Sequence, residues 1–318
     1  MGNALITVAS LTTIIILGVV MPRIIKIPHV FIDILSKIVF NITVPCAIFY
    51  AFVTSEFNPS LIMLVGVGFL CCFIPWFVAM LITWREDRDH KVFMMCNISG
   101  YNIGNFVLPF AMTMFPSHTI VAICLFDAGN ALMTNGGIYP FTSALVEKGT
   151  SLKAGETYQY SGKEESYDKY QYTMDYVYTV YPDLYALLVI LAVAGVQIPE
   201  QAATFIQPIA EANSFLAMLL LGLMVNFSID HSKIGQLVRI VLCRFILSGL
   251  LCVAVFMLLP FDYETRLVVA AMLWAPAAGL GPVFTMWLKG DEGLAGLANV
   301  VTVIAGVIAM SVLAVMLF

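Results

Sequence analysis

Asn97-Ile98-Ser99-Gly100-Tyr101-Asn102-Ile103-Gly104-Asn105-Phe106-Val107-Leu108-Pro109 decides the reading of this chain together with a second stretch, Ala275-Pro276-Ala277-Ala278-Gly279-Leu280-Gly281-Pro282. Each lies inside an apolar run of membrane-spanning length, and each is rich in residues that break helices. In lipid, backbone N–H and C=O groups cannot be left unpaired. Irregular backbone persists there only where it is buried in protein or lines a cavity. Two such interruptions at matching places in two halves of a chain point to a secondary transporter whose site lies where they cross.

Composition points the same way. The 318 residues are 61% hydrophobic and 11% charged, with a mean hydropathy of +0.94. Soluble domains are nearer to roughly 45–50% apolar and about 25% charged. The net charge of −5 is small and there is no basic stripe, so a nucleic-acid partner is not expected. All seven cysteines (Cys46, Cys71, Cys72, Cys96, Cys124, Cys243, Cys252) fall in apolar runs. They read as small hydrophobes, and neither a disulfide framework nor a metal site is expected. The opening Met1-Gly2-Asn3-Ala4-Leu5-Ile6 has no basic region, so a cleaved signal peptide is not expected.

A span takes about 20 apolar residues. Ten candidates follow, at about 3–21, 29–53, 60–84, 92–115, 118–146, 182–198, 201–226, 232–258, 265–288 and 292–318, with prolines at or between their ends. Basic residues orient them. One side holds Arg23, Lys26, Arg85, Arg88, Lys91, Lys148, Lys153, Lys163, Lys169, Lys233, Arg239 and Lys289; the other holds only Arg266. Lys37 and Arg244 lie further within spans. Positive charge collects on the cytoplasmic side, so both termini are expected outside and the 148–181 segment inside. The expected fold is an all-α polytopic protein of the plasma (inner) membrane, with ten transmembrane helices. Two inverted five-helix repeats, 1–147 and 182–318, flank a cytoplasmic Tyr-rich loop, 148–181, and the broken helices four and nine cross. Nine of the 13 tyrosines lie between Tyr158 and Tyr185, which suits a linker lying at the headgroups or a regulatory segment.

Ionisable groups inside a membrane are costly and mark function by default. Lys37 is close enough to a span end to snorkel. Asp127 lies about nine residues into span five, which at 1.5 Å per residue is roughly 14 Å deep. Glu211 and Arg244 fall at similar depths in spans seven and eight. Arg244 either pairs with one of the two carboxylates and holds helices in register, or the three form a network for substrate charge or for coupling to H⁺ or Na⁺. Asparagines form a second cluster. Asn41 and Asn130 are candidate substrate contacts, although one buried Asn is more often interhelical glue. Asn102 and Asn105 fall inside the first break, beside Gly104 and Pro109. Half-helix N-termini there favour a carboxylate, and Pro276, Ala277, Ala278 and Gly279 face them from the second break.

Several stretches resemble the auxin efflux carrier family, which includes bacterial permeases for small organic acids. These are Val44-Pro45-Cys46-Ala47-Ile48-Phe49; Asn102 seven residues before Pro109; Ala210-Glu211-Ala212 followed by Leu221-Gly222-Leu223; Arg244-Phe245 with Ser248-Gly249; Ala275 to Gly279; and Asp183 to Pro199. They cover nearly the whole chain in the family's order. The resemblance implies ten spans with inverted five-helix repeats, a crossover of spans four and nine that holds carboxylates, and elevator-like exchange of access. Ile48 stands where the plant carriers have serine, so a bacterial organic-acid permease is the closer likeness.

The expected function is therefore secondary active transport of a small organic anion, such as a mono- or dicarboxylate or an auxin-like acid. A sodium-coupled symporter of the bile-acid type, from the same superfamily, and a membrane-embedded ligand receptor are the alternatives. An enzyme is not expected: an intramembrane aspartyl protease needs two facing aspartates and a Gly-x-Gly-Asp sequence, and the four histidines (His29, His90, His118, His231) lie at span ends. The expected partners are the carboxylate and the bilayer, with a homodimer as one assembly; no cofactor is expected beyond coupling H⁺ or Na⁺.

Overall fold

A computed structural model describes residues 2–54, 58–108, 110–111, 115, 117–146, 187–188, 191, 198–224 and 233–317. The 148–181 loop, Pro109 and most of the sixth expected segment lie outside the described residues. Among the described residues the chain is all-α. The one extended pairing is an antiparallel bridge between Tyr101 and Ala277.

The helices are α1 (Gly2–Ile24), α2 (His29–Ile38), α3 (Val44–Thr54), α4 (Met63–Ile82), α5 (Arg88–Asn97), α6 (Ser117–Gly136), α7 (Ile138–Val146), α8 (Glu200–Met224), α9 (Ile234–Leu258), α10 (Tyr263–Met272), α11 (Leu280–Trp287) and α12 (Glu292–Leu317). A π-helical turn, Val39–Thr43, joins α2 to α3, and a second, Ile103–Val107, follows the first break. A 3₁₀ turn, Pro59–Ile62, leads into α4. With that turn included, Pro59–Ile82 is 24 residues long, and α9 is 25; both have a peak mean hydropathy of 2.5, long and apolar enough to cross a membrane.

Local chemistry starts the short helices. Asp87 caps α5, its Oδ1 accepting from the His90 amide at 2.9 Å. That amide and the His90 ring hold the Asp87 carboxyl below its ordinary range. Asp262 caps α10 in the same way, accepting from the Thr265 amide at 3.0 Å and from its hydroxyl at 2.7 Å. α5 and α10 are each 10 residues long. Both stop at the two stretches that the sequence marks as breaks.

Two groups of helices result. α1 and α3 pack on α8, while α4, α5 and α6 pack together beside α9, α10, α11 and α12. Small residues set the closest crossings. A Cβ on Gly18 of α1 would stand 2.8 Å from the Cα of Gly222 in α8, and a methyl on Gly68 or Gly129 would collide with the facing backbone where α4 crosses α6. In the first group Thr43 donates to Asn213 Oδ1 at 2.9 Å, tying the π-turn to α8. In the second, Arg239 of α9 bonds Glu86 at 2.6 Å, and Lys233 bonds Asp291, which caps α12 through the Leu294 amide. Burial raises the Asp291 carboxyl, but Lys233 and the Leu294 and Gly293 amides outweigh it and leave it below its ordinary value.

The outer face of α9 is apolar along its length: Leu242, Ile246, Leu250, Val253 and Met257 are all exposed. Such a continuous stripe is not the scattered exposure of a soluble surface. The inner face carries Arg244 and Ser248, both buried.

Candidate functional site

The two breaks meet. The Asn102 amide donates to the Pro276 carbonyl at 2.9 Å, and the Ala278 amide donates to the Gly100 carbonyl at 3.2 Å. These two bonds satisfy backbone groups that the interrupted helices leave unpaired. The segments run antiparallel, so α5 and α10 approach the crossing from opposite directions and both present their C-terminal ends to it. Gly100 has φ +79°, and a Cβ on it would stand 3.0 Å from the Ala278 side chain. This left-handed turn and close approach are open to glycine at little cost.

Side chains from neighbouring helices pin each break. On the first, Asn130 of α6 behaves as a strand edge: its Oδ1 accepts from the Tyr101 amide at 3.0 Å and its Nδ2 donates to the Tyr101 carbonyl at 2.8 Å. The same Nδ2 reaches Asp127 Oδ1 at 3.0 Å, and Thr134 donates to Asn130 Oδ1 at 3.3 Å. Cys72 of α4 lies against the Ser99 and Thr134 hydroxyls. On the second break, Thr302 of α12 accepts from the Ala277 amide at 3.0 Å, and Asn299 donates to the Ala278 carbonyl at 3.3 Å. Asn97 at the end of α5 donates to Thr285 of α11 at 2.8 Å, which joins the two broken helices again further along.

Arg244 sits over the junction, 3% exposed. Its Nη1 donates to the Ile98 carbonyl at 2.6 Å; its Nη2 donates to the Gly100 carbonyl at 2.9 Å and to the Ala275 carbonyl at 3.1 Å. Its charged carbon lies 4.9 Å from the centre of the Tyr101 ring. The acceptors come from both breaks, at the negative ends of α5 and α10. The sequence reading allowed an ion pair with Asp127 or Glu211. The geometry differs: a guanidinium with several donors suits the fanned carbonyls of two converging helix ends. Glu211 is on an exposed face of α8, accepting from Gln207 at 2.7 Å.

The other candidates separate by position. The Asn102 side chain is half-buried at the crossing and makes no capping bond to the π-turn it precedes. Gly104 is in that turn, and a Cβ on it would stand 3.5 Å from Asp127 Oδ2; the carboxylate of α6 therefore faces the turn. Asp127 is buried. The Asn105 backbone belongs to the π-turn, while its side chain lies outside the described residues. Pro276, Ala277 and Ala278 are buried in the crossing, and Gly279 is exposed beside it. Asn41 lies in the other π-turn, its amide folded back on the Lys37 carbonyl at 2.9 Å. The sequence reading did not single out Gly100, Thr134 or Thr302. Gly100 carried a signal, the only glycine of the Ser99-Gly100-Tyr101 step; two threonines in apolar helices carried none.

No protein-family model matches this chain, and no curated protein matches it.

Proposed function

We propose that this protein is a secondary transporter for a small organic anion, a mono- or dicarboxylate, working by alternating access in a membrane. In this reading the chain has ten spans in two inverted five-helix repeats. α5 with the Ile103–Val107 turn and α10 with α11 are the interrupted helices four and nine, and the loop side is cytoplasmic. The observation that carries the proposal is the antiparallel crossing of two broken helices, held by the Asn102–Pro276 and Gly100–Ala278 bonds. Equal half-helices, each with an aspartate cap, lead into both breaks, as repeated halves require. The apolar outer face of α9 suits lipid. The resemblance to the auxin efflux carrier family supports the same assignment.

The chemistry of the crossing suits a carboxylate. A buried guanidinium bonds the Gly100 carbonyl, two positions before Asn102, whose half-buried amide has donors to offer an anion. In this reading Asp127, whose carboxylate faces Gly104, takes the coupling role. The division of helices into an α1–α3–α8 group and a group built around the crossing gives alternating access two bodies to move.

Thermal unfolding of the purified protein against a panel of small mono- and dicarboxylates tests the proposal, because a ligand of the native state raises its melting temperature by mass action. A saturable rise with at least one carboxylate, absent in Asn102→Ala, is expected. No response to any of the panel, with response to a neutral or cationic solute, contradicts it.

A further inference from the structure

Among the described residues Arg244 is the one buried cationic side chain. A buried charge is costly unless it is paired, and here the pairing is with main-chain oxygens: Ile98, Gly100 and Ala275 at 2.6, 2.9 and 3.1 Å. These oxygens belong to the unwound ends of α5 and α10, where two helix dipoles present partial negative charge. Carbonyls from unwound segments and half-helix C-termini are also the ligands with which broken membrane helices coordinate inorganic cations.

We propose that the Arg244 guanidinium is a tethered cation that occupies the place of an inorganic coupling ion, so that the crossing is assembled, and its anion received, without Na⁺ or K⁺. The chain supplies its own cation from α9 to carbonyls of both breaks, adding to the two backbone bonds that join them. Arginine fits the task better than lysine because one planar group reaches three carbonyls in different directions. It keeps its proton at every physiological pH and cannot leave to either side. A gradient of Na⁺ therefore has no exchangeable site at this junction through which to act. The consequence for coupling rests on the transport reading; the cation's role in assembling the junction does not.

The test is thermal unfolding of the purified full chain without substrate, in sodium, potassium or choline chloride at equal ionic strength. The wild type is expected to melt within about 1 °C in all three salts. Arg244→Ala should melt lower and be raised saturably by methylguanidinium chloride, by about 3 °C at ten times its Kd, whereas the wild type is not raised. Arg244→Lys should melt above Arg244→Gln, since the charge is retained. A saturable stabilisation of the wild type by Na⁺ or K⁺ overturns the proposal, as does a folded Arg244→Ala that ignores methylguanidinium, or a Gln variant as stable as the Lys variant. If Arg244→Ala does not fold, the salt comparison and the Lys–Gln pair decide. A wild type that ignores cations and also ignores every carboxylate would leave this inference standing and remove the transport reading.

Discussion

Asn130→Ala should loosen the first break by an amount that can be worked from its bonds. The side chain is 3% exposed and makes four hydrogen bonds, to the Tyr101 amide, the Tyr101 carbonyl, Asp127 and Thr134. The Tyr101 carbonyl keeps a second donor, the Ile103 amide at 3.0 Å, so its loss is partial. The Tyr101 amide has no such reserve. A buried donor left unsatisfied costs about 1–3 kcal/mol, and withdrawing a donor from the buried Asp127 carboxylate adds a similar charge-assisted loss. Together these give about 2–6 kcal/mol. In a chain of this size about 2 °C accompanies each kcal/mol, so the melting temperature should fall by about 4–12 °C. Thermal unfolding in detergent measures it. A melting temperature within about 1 °C of the wild type would refute the reasoning that Asn130 holds the broken backbone in place.

Three further outcomes follow from the same geometry. Gly100→Ala meets both a left-handed backbone and the Ala278 side chain; it should destabilise by about 1–2 kcal/mol from the backbone alone, read as a lower denaturation midpoint, and an unchanged midpoint counts against the turn. Asn102→Ala should weaken carboxylate binding by about 1–3 kcal/mol while leaving the melting temperature of the unliganded protein in place, because its side chain makes no cap bond in the fold; titration calorimetry separates the two, and wild-type affinity removes Asn102 from the site. In a cysteine-free background, Ser117→Cys should react with an impermeant thiol reagent in intact cells and Ser161→Cys only after permeabilisation; labelling of both from outside breaks the ten-span topology.

The sequence located the breaks because their chemistry is local. Gly100, Pro276 and Gly279 interrupt helix formation wherever the chain goes, whereas the Asp87 and Asp262 caps of the short helices before them were found only in the structure. Helix identity in the long apolar segments was legible for the same reason. The partners of Arg244 were not. Depth along a span is a one-dimensional quantity, and it put Arg244 level with Asp127 and Glu211. Direction around the helix decides contact, and α8 turns Glu211 to an exposed face while α9 turns Arg244 onto the carbonyls of residues 146 and 144 positions away. Such acceptors are invisible in sequence because every residue has a carbonyl. Thr302 was hidden by the same limit: a hydroxyl in an apolar helix usually bonds its own backbone, and only the packed fold brings the Ala277 amide to it.

Uptake into proteoliposomes bears most directly on the central claim that the crossing is the anion site of a carrier. Purified protein reconstituted in liposomes, preloaded with unlabelled carboxylate and diluted into the labelled compound, should show saturable counterflow. That flux should persist when choline replaces Na⁺ and should be lost or sharply weakened in Asn102→Ala. Counterflow no greater than in protein-free liposomes for every mono- and dicarboxylate that stabilises the protein would contradict the account.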